Sequence, residues 1–236
     1  MAADPVPGAE LLDAVAVMDR LRSPGGCPWD ASQTHQSLAR YLIEETYETI
    51  EAIETDNMAL LREELGDLLL QVLFHARLAE ELPAGERFSI NDVAEDLVEK
   101  LVRRHPHVFG STDVADADEV NENWERLKVA EKGRTSAVDG VPLSQPALAL
   151  AGKLVTRAER AQLPVAVAGD GIGERLFALA REAANSGVDP ESALRDTTRR
   201  FRAAILAAEA ARDTSERHRP TDQSRRLETP IHHDEA

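Results

Sequence analysis

LIEETYETIEAI at residues 42–53 and LREELGDLLLQVLFHA at residues 61–76 decide the fold. In both stretches apolar residues return every three or four positions, the period of a helix, and the period-two alternation of a strand is missing. The polar break Asp56-Asn57 separates them, so the spacing predicts one helix to about Thr55, a second from Ala59 to Glu81 stopped by Pro83 and Gly85, and an antiparallel pair.

With Leu38 at the origin of a helical wheel, Leu42, Thr46, Thr49 and Ile53 fall within about 80° of each other, a stripe expected to be buried. Glu45 stands at the edge of that stripe and Glu48 one turn on, on the same side. On the next helix Leu61, Leu65, Leu68, Leu69, Val72 and Ala76 share a face, with Glu64 and Asp67 a turn apart along its flank. Packed antiparallel, the two acid pairs converge into a pocket of four negative charges that requires a cation. Oxygen-only donors select a hard metal, Mg²⁺ or Mn²⁺, and leave coordination sites for water and phosphate oxygens. Two other readings compete. The glutamates are ordinary exposed helix residues paired with Arg or Lys four positions away, or the bundle holds two irons. A di-iron site needs Glu-x-x-His motifs, which these positions lack, and His75 reads as a helix-surface or core histidine.

Outward from this pair the pattern stays helical, and with aromatic residues at only 4% a sheet is hard to place, so the fold class is all-α. A first helix is expected over Gly8–Arg22, ended by the turn-rich Ser23–Pro28, after which Asp30 and Gln33 resemble a capping box that starts the second helical region. Trp29 reads as a loop anchor. A further helix spans Ile90–Arg104, with Ser89 as N-cap, Asp92 suited to the positive helix end and Pro106 as terminator, and another spans Glu119–Glu131. Beyond Gly140 the composition turns alanine-rich, over Pro146–Gln162, Gly173–Ser186 and Pro190–Asp213, with a Pro/Gly-containing joint at Leu163–Gly171. The expected organisation is therefore a domain over 1–140, a helical region over 141–213 and a disordered tail over 214–236.

A net charge of −16 argues against wrapping nucleic acid and suits a protein that concentrates divalent cations. No apolar run is long enough for a membrane span, the start lacks the zones of a secretory signal, and the single Cys27 forms no internal disulfide, so a cytoplasmic protein without a membrane partner is expected.

The two opening stretches resemble the MazG family of nucleoside triphosphate pyrophosphohydrolases, whose motif is ExxE, a spacer, then ExxD; Glu45, Glu48, Glu64 and Asp67 match it. GGCPWDASQTHQSL (25–38), KLVRRHPHVFG (100–110) and NWERLK (123–128) extend the resemblance over about residues 10–132. It implies an all-α bundle completed by dimerisation, magnesium held by the four acids, and hydrolysis of NTP to NMP and pyrophosphate. Glu44 and Glu48 are both candidates to orient the attacking water. Lys100, Arg103 and Arg104 share one helix face that suits a triphosphate, and the matching family segment binds phosphate. Trp124 and Lys128, a turn apart, are placed to offer an indole to the base and an ammonium to phosphate, with core packing an equal reading of Trp124. KLVTRAERA (153–161), GIGERLFALAREA (171–183) and ESALRDTTRRFRAAI (191–205) look like remnants of the second unit found in long family members. Its ExxE helix is missing, Gly171-Ile172-Gly173-Glu174 stands where ExxD belongs, and Arg199, Arg200 and Arg202 face no acidic cluster. The non-enzymatic alternative is a helical nucleotide-binding or interaction module.

Overall fold

The computed structural model describes residues 8–117, 119–120, 123–124, 127, 131 and 135–217, the last five of these by backbone alone. Among the described residues none forms a strand, and no helix is long and apolar enough to cross a membrane. The chain divides into two compact units, residues 1–128 and 129–236.

In the first unit α1 covers Ala9–Arg22 and stops where Ser23-Pro24-Gly25-Gly26 turns the chain back. Cys27 N–H donates to Leu21 O at 2.8 Å, and a β-carbon at Gly26 would lie 2.2 Å from that same oxygen, so only glycine lets the loop lie on the helix end. α2 is a single turn, Pro28–Ser32, with proline at its first position. The expected capping box at Asp30 and Gln33 is therefore displaced, because Pro28 opens a separate turn ahead of the long helix. The box belongs to Thr34, whose Oγ1 accepts from Ser37 N–H at 3.1 Å while Ser37 Oγ accepts from Thr34 N–H at 2.9 Å. It starts α3, His35–Glu54.

Asp56, at φ 52°, turns the chain, and Asn57 caps α4, Met58–Ala79, by accepting from Leu60 N–H at 3.1 Å. α5, Ile90–Arg104, opens with Ser89 and Asp92 capping each other, and Asp92 Oδ2 accepts from Ser89 N–H at 2.6 Å. α6 is the turn Pro106–Phe109. The helix expected at Glu119 begins earlier, where Asp116 Oδ1 accepts from Glu119 N–H at 2.9 Å and residue 117 is already helical.

The core of this unit gathers Met18, Leu38, Leu73, Phe74 and Leu78, with Tyr41, Leu69 and Ile90 packed against it. Trp29 anchors the α2 turn by lying edge-on to Tyr41 and Phe74, at 6.0 and 6.4 Å. Behind it the Arg22 side chain, only 4% exposed, donates to the Asp30 and Gln33 carbonyls and makes a two-pronged pair with Glu81 at 3.0 and 2.9 Å.

In the second unit α7 covers Ala147–Arg160, α8 Ile172–Asn185 and α9 Pro190–Arg217, which carries the helix past its expected end at Asp213. The rest of the expected tail, residues 218–236, lies outside the described residues. Gly152 admits Pro190, whose Cγ would sit 3.1 Å from an added β-carbon. Beside Val155 and Phe177 the unit leaves an apolar cavity of about 440 Å³, edged by Leu163, Val165 and Arg181.

Candidate active site

His35 meets His75 near the start of α3, and Glu45 meets Glu64 further along, so α3 and α4 run antiparallel as their short connection dictates. The pairing brings one carboxylate oxygen each of Glu45, Glu48 and Glu64 within 4.8 Å of one another. Asp67 lies outside that triplet, half-buried, with its charge acting on both Glu45 and Glu64.

Glu45 and Glu64 lie within the packed face rather than on its flank, while Glu48 stands exposed at its edge. Glu64 is 7% exposed and Glu45 half-buried. The buried side of α3 runs through Leu38, Tyr41, Glu45, Thr49 and Ala52, whereas Leu42, Thr46 and Ile53 of the expected stripe are exposed. On α4, Leu65 and Val72 of the expected stripe are likewise exposed, while Glu64, Gln71 and Leu78 are buried. On both helices the covered face takes in an acid, Glu45 or Glu64, and leaves part of the expected apolar stripe exposed.

The electrostatics follow from that placement. Burial pushes the Glu45 carboxyl above its ordinary value, and the negative charges of Asp67, Glu48, Glu64 and Glu44 push it further the same way. Burial, then Glu48, Asp67 and Glu63, raise Glu64. Every charge acting on these two groups is an acid. Among the described residues no basic side chain pairs with any of the four acids, so the reading of them as ordinary i,i+4 helix pairs fails. An all-oxygen set with unbalanced negative charge fits a hard divalent cation. The di-iron alternative lacks its histidines: Val72, not an acid, stands three residues before His75, and no histidine joins the Glu45, Glu48 and Glu64 cluster among the described residues.

α5 carries Lys100 and Arg103 exposed and Arg104 half-buried. None of the three contributes to the shifts of Glu45 or Glu64. Trp124 is half-buried with its ring edge-on to His105 at 4.7 Å, a packing contact within the first unit. Lys128 lies outside the described residues. Two features of the seam escaped the sequence reading, a buried amide and a histidine pair. Gln71, one turn beyond Asp67, is 4% exposed with its Oε1 facing no donor, and its signal was an amide inside the apolar run LLLQVLF. The His35–His75 pair joins residues forty apart, and nothing in their local patterns links them.

Residues 33–109 match the MazG nucleotide pyrophosphohydrolase domain. The chain is 40% identical to the nucleoside triphosphate pyrophosphohydrolase/pyrophosphatase MazG of Thermotoga maritima, over 80% of this chain and 81% of that one. It is 44% identical to a nucleoside triphosphate pyrophosphohydrolase of Mycolicibacterium smegmatis over 91% of this chain, and 54% identical to an uncharacterized protein of Streptomyces cacaoi over 86%. It spans 66% of the Mycolicibacterium protein's length and 84% of the Streptomyces protein's. The fold and the acid-bearing helix pair thus define an all-α nucleotide pyrophosphohydrolase. The chain belongs to the MazG family.

Proposed function

We propose that the protein hydrolyses nucleoside triphosphates, deoxy forms included, to the monophosphate and pyrophosphate, as house-cleaning of the cytoplasmic nucleotide pool. The observation that carries this reading is the cluster of Glu45, Glu48 and Glu64 on the α3–α4 seam, with no basic partner among the described residues. Glu45, Glu48, Glu64 and Asp67 would hold Mg²⁺, with Mn²⁺ as a substitute. When bound, such a cation supplies charge neutralisation at phosphoryl oxygens and a more acidic water.

The remaining work falls to the chain's own side chains. Glu44 or Glu48 accepts a hydrogen bond from the attacking water and fixes its direction. Lys100, Arg103 and Arg104 give the triphosphate donors along one helix face, and Lys128 adds an ammonium while Trp124 borders the base. The chain works as a homodimer or higher homo-oligomer. In support, the expected apolar stripes of α3 and α4 are exposed at Leu42, Ile53, Leu65 and Val72, as are Leu97, Val98, Leu101 and Val102 of α5. The second unit is a degenerate copy that serves as a scaffold or modulates the dimer. The net charge of −16 fits the absence of a nucleic-acid partner.

Incubation with each NTP and dNTP, with Mg²⁺ or EDTA, and separation of NMP, NDP, pyrophosphate and phosphate tests the reaction. NMP with pyrophosphate, lost in EDTA, is expected. Release of NDP with phosphate, or no product with any nucleotide, overturns it.

A further inference from the structure

His35 Nδ1 and His75 Nδ1 lie 2.7 Å apart, and the two rings are within 3° of parallel with centres 5.0 Å apart. A face-to-face stack does not fit these values together. A centre separation of 5.0 Å is as wide as two imidazoles can reach when their nitrogens are 2.7 Å apart, so the rings are coplanar and meet edge to edge, each nitrogen's in-plane direction aimed at the other. That is the geometry of an N–H···N hydrogen bond, and it leaves no room for a metal between the nitrogens. One Nδ1 carries the hydrogen and the other accepts, so in the neutral pair the two rings hold opposite tautomers.

We infer that His35 and His75 form a one-proton latch between α3 and α4, closed while a single hydrogen lies between the two Nδ1 atoms and opened when a second proton is taken up. With both Nδ1 atoms protonated, two N–H groups oppose each other at 2.7 Å and the ring that took up the added proton is a cation, so the bond becomes a repulsion. The latch lies ten residues from Glu45 along α3, about 15 Å at the rise of a helix, so it sets the register of the seam without touching the acids.

The surroundings leave the pair to itself. α1 brings Asp19, held by Arg77 of α4 at 2.8 Å, and Arg22, paired with Glu81, while α2 brings Asp30, whose charge does not act on His75. Arg40 of α3 lies over the Tyr41 ring at 4.5 Å, and Asp92 of α5 is engaged by Ser89. Burial, and then the His35 ring, lower the proton affinity of His75, and no other charge acts on it. A histidine held below its ordinary value binds fewer protons folded than unfolded. Its stabilisation is present above the ordinary histidine range and is lost as pH falls through that range toward the folded value.

Long-range ¹H–¹⁵N NMR of the imidazoles in the full chain, assigned with His35→Asn and His75→Asn, tests the latch. At pH 8 one ring is expected as the Nδ1–H tautomer and the other as Nε2–H, with one far-downfield Nδ1 proton, and both rings respond together as pH falls. Melting temperature between pH 7.5 and 5.5 gives the second readout. The Asn side chain at position 75 still bonds His35 but does not titrate, so His75→Asn should lose about 3 °C less than the native chain across that interval. Two rings of the same tautomer that titrate independently, or a pH slope unchanged in His75→Asn, overturn the latch.

Discussion

In the first unit α3 and α4 press Glu45, Glu64 and Gln71 into their shared side; in the second, α7 and α8 bury Gly152, Val155 and Ala180 beside an apolar cavity of about 440 Å³. Both are helix pairs of ordinary length, but among the described residues only the first gathers three carboxylates within reach of one another. Glu174, in the first turn of α8, folds back on the start of that helix, where a β-carbon at Gly171 would lie 2.5 Å from its Oε2. A carboxylate at a helix N-terminus is stabilised by the helix itself and asks for no cation. Buried negative charge that lacks a partner in the chain marks chemistry, and negative charge that the backbone already satisfies does not.

The sharpest way to break this contrast is to remove one acid from each unit. Glu64→Ala should cut pyrophosphate release at least ~100-fold with helix content kept, while Glu174→Ala should leave turnover within about twofold. Equal effects in a discontinuous assay would end the distinction. The packing contrast comes next. Phe74, 2% exposed and wedged against Trp29, should cost about 3–5 kcal/mol as Phe74→Ala in urea unfolding, and the half-buried Phe177 beside its cavity roughly half of that or less.

The smallest effect is a matter of pH. Glu45 and Glu64 hold their protons more tightly folded than unfolded, so their contribution to stability is full below the ordinary carboxylate value and is lost as pH rises through the raised one. Mg²⁺ should therefore raise the melting temperature more at pH 7 than at pH 5, and Glu64→Gln should flatten that difference; calorimetry with and without the ion reads both.

The helices, the α3–α4 pairing and the acids themselves were legible in the sequence, because period and spacing are local properties. Which face of each helix is covered was not. α3 offers one stripe through Leu38, Tyr41, Thr49 and Ala52 and another through Leu42, Thr46 and Ile53, and apolar period alone does not rank them. The start of α3 was misplaced because its box uses Ser37 at the position where Glu or Gln is the usual signal. The histidine latch depends on a tertiary contact, which no window of sequence contains.

The connection between α3 and α4 is only Thr55, Asp56 and Asn57, and the four acids all fall between residues 45 and 67. In kinetic terms the seam is a hairpin of low contact order: closing it costs little chain entropy, and its contacts form before α1 and α5 must be recruited. Acids that repel one another thus lie in a segment that folding reaches early, and a divalent cation present at that stage would act on the nascent hairpin as much as on the finished protein.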